Sequence, residues 1–175
     1  MLYRTHPNAV IEYWDARLDG RRVTVHTGPV GEPDSARISR PLPGETPDAH
    51  LLRLRAEAAA AGFAELPDDA FVQLQVQWRV QGWGSTADLE FRHQVEDDLD
   101  ACLKWTGNGC CDGGDIGSGT LNVFCFVVAV PAAIQSVLGA LEAAERPAPH
   151  SIAIETADQF VIAWPPELAG SEPTL

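Results

Sequence analysis

From Phe71 to Val80 the chain alternates without a break: Val72, Leu74, Val76, Trp78 and Val80 fall on one side, Gln73, Gln75, Gln77 and Arg79 on the other. A period of two predicts a β-strand with one face in the core and one face wet. The period then changes. After a turn at Gly82-Trp83-Gly84-Ser85, with Ser85 or Thr86 as helix N-cap, Phe91, Val95, Leu99 and Cys102 recur at helical spacing. A glycine-rich hairpin over Cys110–Gly119 feeds Leu121–Val130, a nearly all-apolar run that suits the middle of a sheet. Val130-Pro131 opens a second helix, with Ile134, Val137, Leu138, Leu141 and Ala144 as its buried stripe. Ser151–Thr156 and Gln159–Trp164 read as a last hairpin around Ala157-Asp158.

Residues 67–166 therefore read strand–helix–strand–strand–helix–strand plus one further strand, the order of a ferredoxin-like α+β domain. That arrangement puts the first and third strands in the centre and both helices on one face. The glutamines then mark the face without helices. Pro165-Pro166 is expected to end the ordered part, leaving residues 167–175 as a flexible tail.

Residues 1–66 read as a smaller β-rich unit with one helix. Val10–Leu18 and Arg22–Thr27 form a hairpin around Asp19-Gly20, a strong tight-turn pair. Gly28-Pro29-Val30-Gly31 is expected to break that ladder, and an extended proline-rich stretch continues to Gly44. Thr46-Pro47 caps a helix that runs through Leu51 and Leu54 to a stop at Gly62. Leu66-Pro67-Asp68-Asp69 reads as a linker, and the extreme start, with His6, is expected to fray.

A hydrophobic content of 45% excludes a disordered chain. No apolar run approaches the ~20 residues of a membrane-spanning helix. Met1–Pro7 lacks the apolar segment of a leader, so the expected location is cytoplasmic, with no membrane partner. Cys102, Cys110, Cys111 and Cys125 are then expected to be reduced thiols. Charge separates the halves. Residues 1–66 carry eight Arg/Lys against nine Asp/Glu, whereas residues 67–175 carry four against sixteen, a net of −12. A surface of that sign repels a phosphate backbone and attracts a basic partner, so nucleic acid is not an expected ligand of the second half.

The hairpin Cys110-Cys111-Asp112-Gly113-Gly114-Asp115-Ile116-Gly117-Ser118-Gly119 concentrates the candidate chemistry. Two aspartates and no closing bidentate glutamate fall short of a calcium loop. Adjacent cysteines do not follow the spacing of a zinc site, so no metal or other cofactor is expected. The glycines lack the lysine and the following helix of a nucleotide loop. Ser118 as hairpin apex would set Cys111 opposite Cys125, and a bulge would shift that pairing. Phe124 and Phe126 read as core rather than as RNA-stacking residues. His26, His50, His93 and His150 have no nucleophile beside them in sequence, and no catalytic constellation is apparent. The binding candidates are Asp112, Gly113, Gly114, Asp115, Gly117 and Ser118 in the hairpin, Glu96, Asp97 and Asp100 on the acidic helix, and Trp83 as an apolar anchor.

In the first half, a strand, an Asp-Gly turn, a strand, the paired glycines of Thr27-Gly28-Pro29-Val30-Gly31, an extended segment and a helix ending at Gly62-Phe63 resemble a WGR domain over residues 9–66. Threonine and proline stand where that family's signature has tryptophan and arginine. The resemblance implies a nucleic-acid-associated adaptor, with Arg21 and Arg22 as the contacts. The charge distribution instead implies a non-enzymatic, inhibitor- or immunity-like module whose acidic half binds a basic protein. A small-molecule or metal-dependent enzyme using the Asp112–Ser118 loop is the third reading.

Overall fold

The computed structural model describes residues 1–157 and 159–173. The tip of the last hairpin, Asp158, lies outside the described residues. The fold is α+β, with two antiparallel sheets built from consecutive halves of the chain.

The first sheet has the order β1 (Leu2–Thr5), β2 (Ile11–Asp19), β3 (Arg22–Pro29), β4 (Ser35–Ser39). Helix α1 (Pro47–Ala60) starts at Thr46, whose hydroxyl accepts from the Ala49 amide, and Leu54 and Ala58 pack it on Trp14, Ala16, Val23 and Val25. Two expectations fail here. The chain start does not fray: Leu2–Thr5 pairs with Ile11–Trp14, and His6 sits 3.0 Å from a Glu12 carboxylate oxygen that also takes Arg4. Nor does Gly28-Pro29 break the ladder, because both residues stay paired, opposite Tyr13 and Glu12. Proline is tolerated there at the last position of the strand, where the ladder ends.

The second sheet contains β5 (Val72–Arg79), β6 (Gly109–Gly117), β7 (Thr120–Val127), β8 (Ser151–Glu155) and β9 (Phe160–Trp164), in the order β6-β7-β5-β8-β9. The first four adopt the expected ferredoxin-like order, with β5 and β7 inside and β9 added at the β8 edge. Helices α2 (Thr86–Trp105) and α3 (Val130–Ala143) cover one face, where Val95, Leu99, Val137 and Leu141 meet Leu74, Val76, Val123 and Cys125. Leu103, rather than Cys102, completes the buried stripe of α2. Ser85 is its N-cap and forms a reciprocal capping box with Asp88. Beyond β9, Pro166–Leu168 makes a single 3-10 turn, and Gly170 and Ser171 exchange backbone hydrogen bonds with Ile162.

The C-terminal end of α2 joins the halves. Tyr13 is fully buried, and its hydroxyl donates to the Trp105 carbonyl at 3.0 Å. The Gly31 amide donates to the Thr106 carbonyl at 2.9 Å. Gly107, at φ +61°, lies flat against the Tyr13 ring, where a Cβ would come within 2.1 Å of ring carbons. Tyr3 meets Phe71 edge-on in the same seam, and His26, bonded to Asp34, meets Trp105.

Gly107→Ala is therefore expected to cost about 3 kcal/mol or more, since steric overlap adds to a left-handed backbone. Gly20→Ala, at φ +59° with no atom within 4 Å of its Cβ position, isolates the backbone part alone, expected at about 1–2 kcal/mol. Urea unfolding of both variants measures the difference, and equal losses would contradict the seam.

Candidate functional site

The β6–β7 hairpin closes with a two-residue turn at Ser118-Gly119, both at positive φ, so that Gly117 faces Thr120. Such a turn pairs Ile116 with Leu121 and Gly114 with Val123. Between Gly114 and Cys111 the register slips by one, and Asp112 and Gly113 together oppose Phe124. This is a β-bulge. It reverses the parity of the strand. Cys111 and Ile116, an odd number of residues apart, both point into the helix-covered core. Asp115 pairs with Asn122 and takes the opposite, helix-free face. Cys111 faces Cys125 because of this bulge and not because Ser118 is a one-residue apex, and their sulfurs lie 2.6 Å apart.

The outer edge of β6 is free of strand partners, and α2 covers its polar groups. Asp100 accepts the Cys111 amide at 3.0 Å, and Arg92 donates to the Gly114 carbonyl at 2.9 Å. Gly114 is required by proximity: a Cβ would stand 2.2 Å from the Asn122 carbonyl oxygen. The acidic helix is thus mostly committed internally. Asp100 also holds Lys104, raising that amine's pKa through their hydrogen bond, Glu96 pairs with Arg92, and Asp98 pairs with Arg146. Of Glu96, Asp97 and Asp100, only Asp97 has no ion pair among the described residues.

The helix-free face holds the other expected residues. Across it run Asp115, Asn122, Gln77 and Ser151 in one row, and Phe124, Gln75, Ala153 and Ile162 in the next. The glutamines are not wet. Gln77 is 1% exposed and Gln75 6%, because neighbours on both sides cover them. Their polarity is satisfied laterally: both side-chain amides donate to Asn122 Oδ1, at 2.9 and 3.0 Å, and Asn122 donates to Asp115 at 2.7 Å. Four carboxylates border this face, Asp68, Asp112, Asp115 and Glu155. None has a basic partner among the described residues.

Two depressions flank the bulge. One, of about 400 Å³, is lined by Asp68, Phe71, Cys110, Cys111, Asp112 and Phe126. The other, of about 330 Å³, lies at the hairpin tip and includes Asp115, Gly117, Ser118, Thr120 and Asn122. Trp83 stands over Gly117, on the side to which Asp115 points, and remains 81% exposed. Sequence reasoning placed Trp83 in the turn but gave no sign that its ring shares a face with Asp115. Asp68, Phe71 and Glu155 were not candidates at all, since only the sheet order brings them to this rim.

Little else is organised for chemistry. Among the described residues no three His, Cys, Asp or Glu side chains are grouped to hold a metal ion. Burial raises the Cys110 and Cys102 thiols, and the hydrogen bond to Cys125 together with burial raises Cys111 much further, so each rests as the protonated thiol. His150 bonds Arg79 and His26 bonds Asp34, whereas His50 meets Ser39 Oγ at 3.0 Å through Nε2 and has Glu45 at 3.2 Å and Arg53 at 2.7 Å from Nδ1, a Ser–His–Glu contact in the first half that the arginine ties down. No described helix is long and apolar enough to cross a membrane. No protein-family model matches the sequence, and comparison with curated proteins and with solved structures finds no significant match.

Asp100→Ala removes the acceptor of an edge-strand amide and is expected to cost about 1–3 kcal/mol. Asp97→Asn, on the same helix, is expected to stay within about 0.5 kcal/mol of the parent. Chemical denaturation of the pair distinguishes a helix whose acids hold the hairpin from one whose acids face outward.

Proposed function

We propose that the chain is a non-enzymatic interaction protein that docks a basic protein partner on the helix-free face of its second sheet. The observation that carries this reading is the sorting of carboxylates. Those of α2 are largely neutralised by arginine, lysine or a backbone amide, whereas around one face Asp68, Asp112 and Glu155, and Asp115 with only the neutral Asn122 amide, form no ion pair among the described residues. Charged groups left without a partner on a rim steer association and set specificity at little folding cost. The centre of the face has the complementary character. Phe124 and Phe126 are half-buried beside satisfied amides, and Trp83 offers a large rigid ring at the corner. A polar rim around aromatic anchors is the usual anatomy of a protein–protein interface. The inhibitor-like reading thereby moves from the acidic helix to the sheet.

The test is capture from the lysate of the native host at graded salt, with nuclease present. The parent is expected to retain a defined basic protein that is lost as salt rises. The Asp112→Asn, Asp115→Asn, Glu155→Gln triple variant is expected to retain roughly tenfold less of that same protein. Asp97→Asn, matched for chemistry on the opposite side of the sheet, is expected to retain it fully. Equal retention by parent and triple variant, or retention indifferent to salt, would overturn the reading. Capture that nuclease abolishes would instead support the nucleic-acid-associated alternative through the first half, where Arg21 and Arg22 are exposed in the β2–β3 turn.

A further inference from the structure

We infer that Cys111 and Cys125 form a redox couple whose disulfide locks the register of the bulged hairpin. The argument starts from the backbone. In an antiparallel ladder, directly opposed residues either exchange both hydrogen bonds or none, and the non-bonded pairs bring their side chains closer, with Cα atoms about 4.5 Å apart. Cys111 and Cys125 are directly opposed, and the Cys111 amide points away from β7 to Asp100. They are therefore a non-hydrogen-bonded pair, inside the ~4.4–6.8 Å Cα range that a disulfide spans without backbone movement. Both side chains turn to the same, helix-covered face and their sulfurs are in contact.

Access differs between the two. Cys125 is completely buried, whereas Cys111, on the edge strand, is only partly buried. Cys111 is thus the sulfur that a small disulfide reaches first. Cys111 gives up its proton to solvent, and the thiolate attacks one sulfur of the small disulfide, forms a mixed disulfide and releases a thiolate that takes up a proton to leave as one thiol. Cys125 then gives up its proton, attacks the Cys111 sulfur, closes the protein disulfide and releases the second thiol. Two protein thiols are oxidised and one small disulfide is reduced to two thiols.

The consequence lies in what the cross-link encloses. The ring closed by residues 111 and 125 contains the bulge and the aspartates at 112 and 115. A slip of one residue in this strand would turn Asp115 into the core and Ile116 out of it. Covalent connection on the far side of the bulge forbids that slip. The cross-link does not depend on what the helix-free face binds.

The folded full chain is incubated with glutathione disulfide, quenched in acid, alkylated and mapped by peptide mass spectrometry. The expected product is lighter than the reduced protein by two hydrogens, with one cross-linked peptide joining Cys111 to Cys125. Exchange of the β6 and β7 amides with deuterium is expected to be slower in that product. Cys125→Ser, which cannot close the ring, is expected to stop at a glutathione adduct on Cys111. If Cys111 and Cys125 both remain alkylatable after Cys110 has formed its adduct, or if the cross-link found involves Cys102 or Cys110, the inference is wrong. Unchanged amide exchange in a correctly cross-linked product would remove the register lock and leave the pair without the role assigned to it.

Discussion

A single extra residue between Cys111 and Gly114 determines what the second half of this protein shows to solvent. An uninterrupted strand from Cys111 to Gly117 that kept Cys111 inside would bury Asp115 and expose Ile116. The bulge lets both apolar and acidic positions fall on their proper sides. It needs support, because a bulged edge strand leaves backbone groups without ladder partners. Asp100 and Arg92 from α2 supply that support at two points on either side of the slip. The helix is thereby fixed to the hairpin by polar bonds as well as by the apolar packing of Val95, Leu99 and Leu103, and the edge is closed to another strand.

The same helix links this arrangement to the first half. Its last turn presents the carbonyls of Trp105 and Thr106 to Tyr13 and Gly31, and Gly107 leaves room for the Tyr13 ring. The seam and the bulge are thus held by the same helix, the one through Trp105 and Thr106 and the other through Asp100. The two halves differ in charge and in fold and meet at this helix terminus and at the Tyr3–Phe71 contact. The seam also keeps the first sheet on the Phe71 and Gly109 side of the second sheet, where one groove is lined by Tyr3, Asp15, Arg17, Lys104 and Cys110.

Most of the second fold was legible in the sequence. The period-two run from Phe71 to Val80, the apolar run to Val130 and two helical stripes carry enough information to fix the order of elements, and the glutamines identify the helix-free face. The first half was less legible for a physical reason. Leu2–Thr5 and Ser35–Ser39 are edge strands of only four and five residues, too short to show a period, and the exposed β4 has no alternation to read. The burial of Gln75 and Gln77 was also invisible, because it depends on Asn122 arriving from a neighbouring strand to satisfy both amides. The ion pairs of the acidic helix were only partly visible for the same reason. A run of carboxylates looks solvated until the partners Lys104, Arg92 and Arg146 are placed, and Arg146 comes from beyond α3.

The central claim is that the unpaired carboxylates around the helix-free face are the ones a partner covers. Carbodiimide labelling of carboxylates, read residue by residue with and without the captured partner, tests it most directly. The account expects Asp112, Asp115 and Glu155 to be labelled in the free protein and protected in the complex, while Asp97 labels equally in both. Protection of Asp97 with continued labelling of Asp112, Asp115 and Glu155 would place the partner on the helical side and contradict the account.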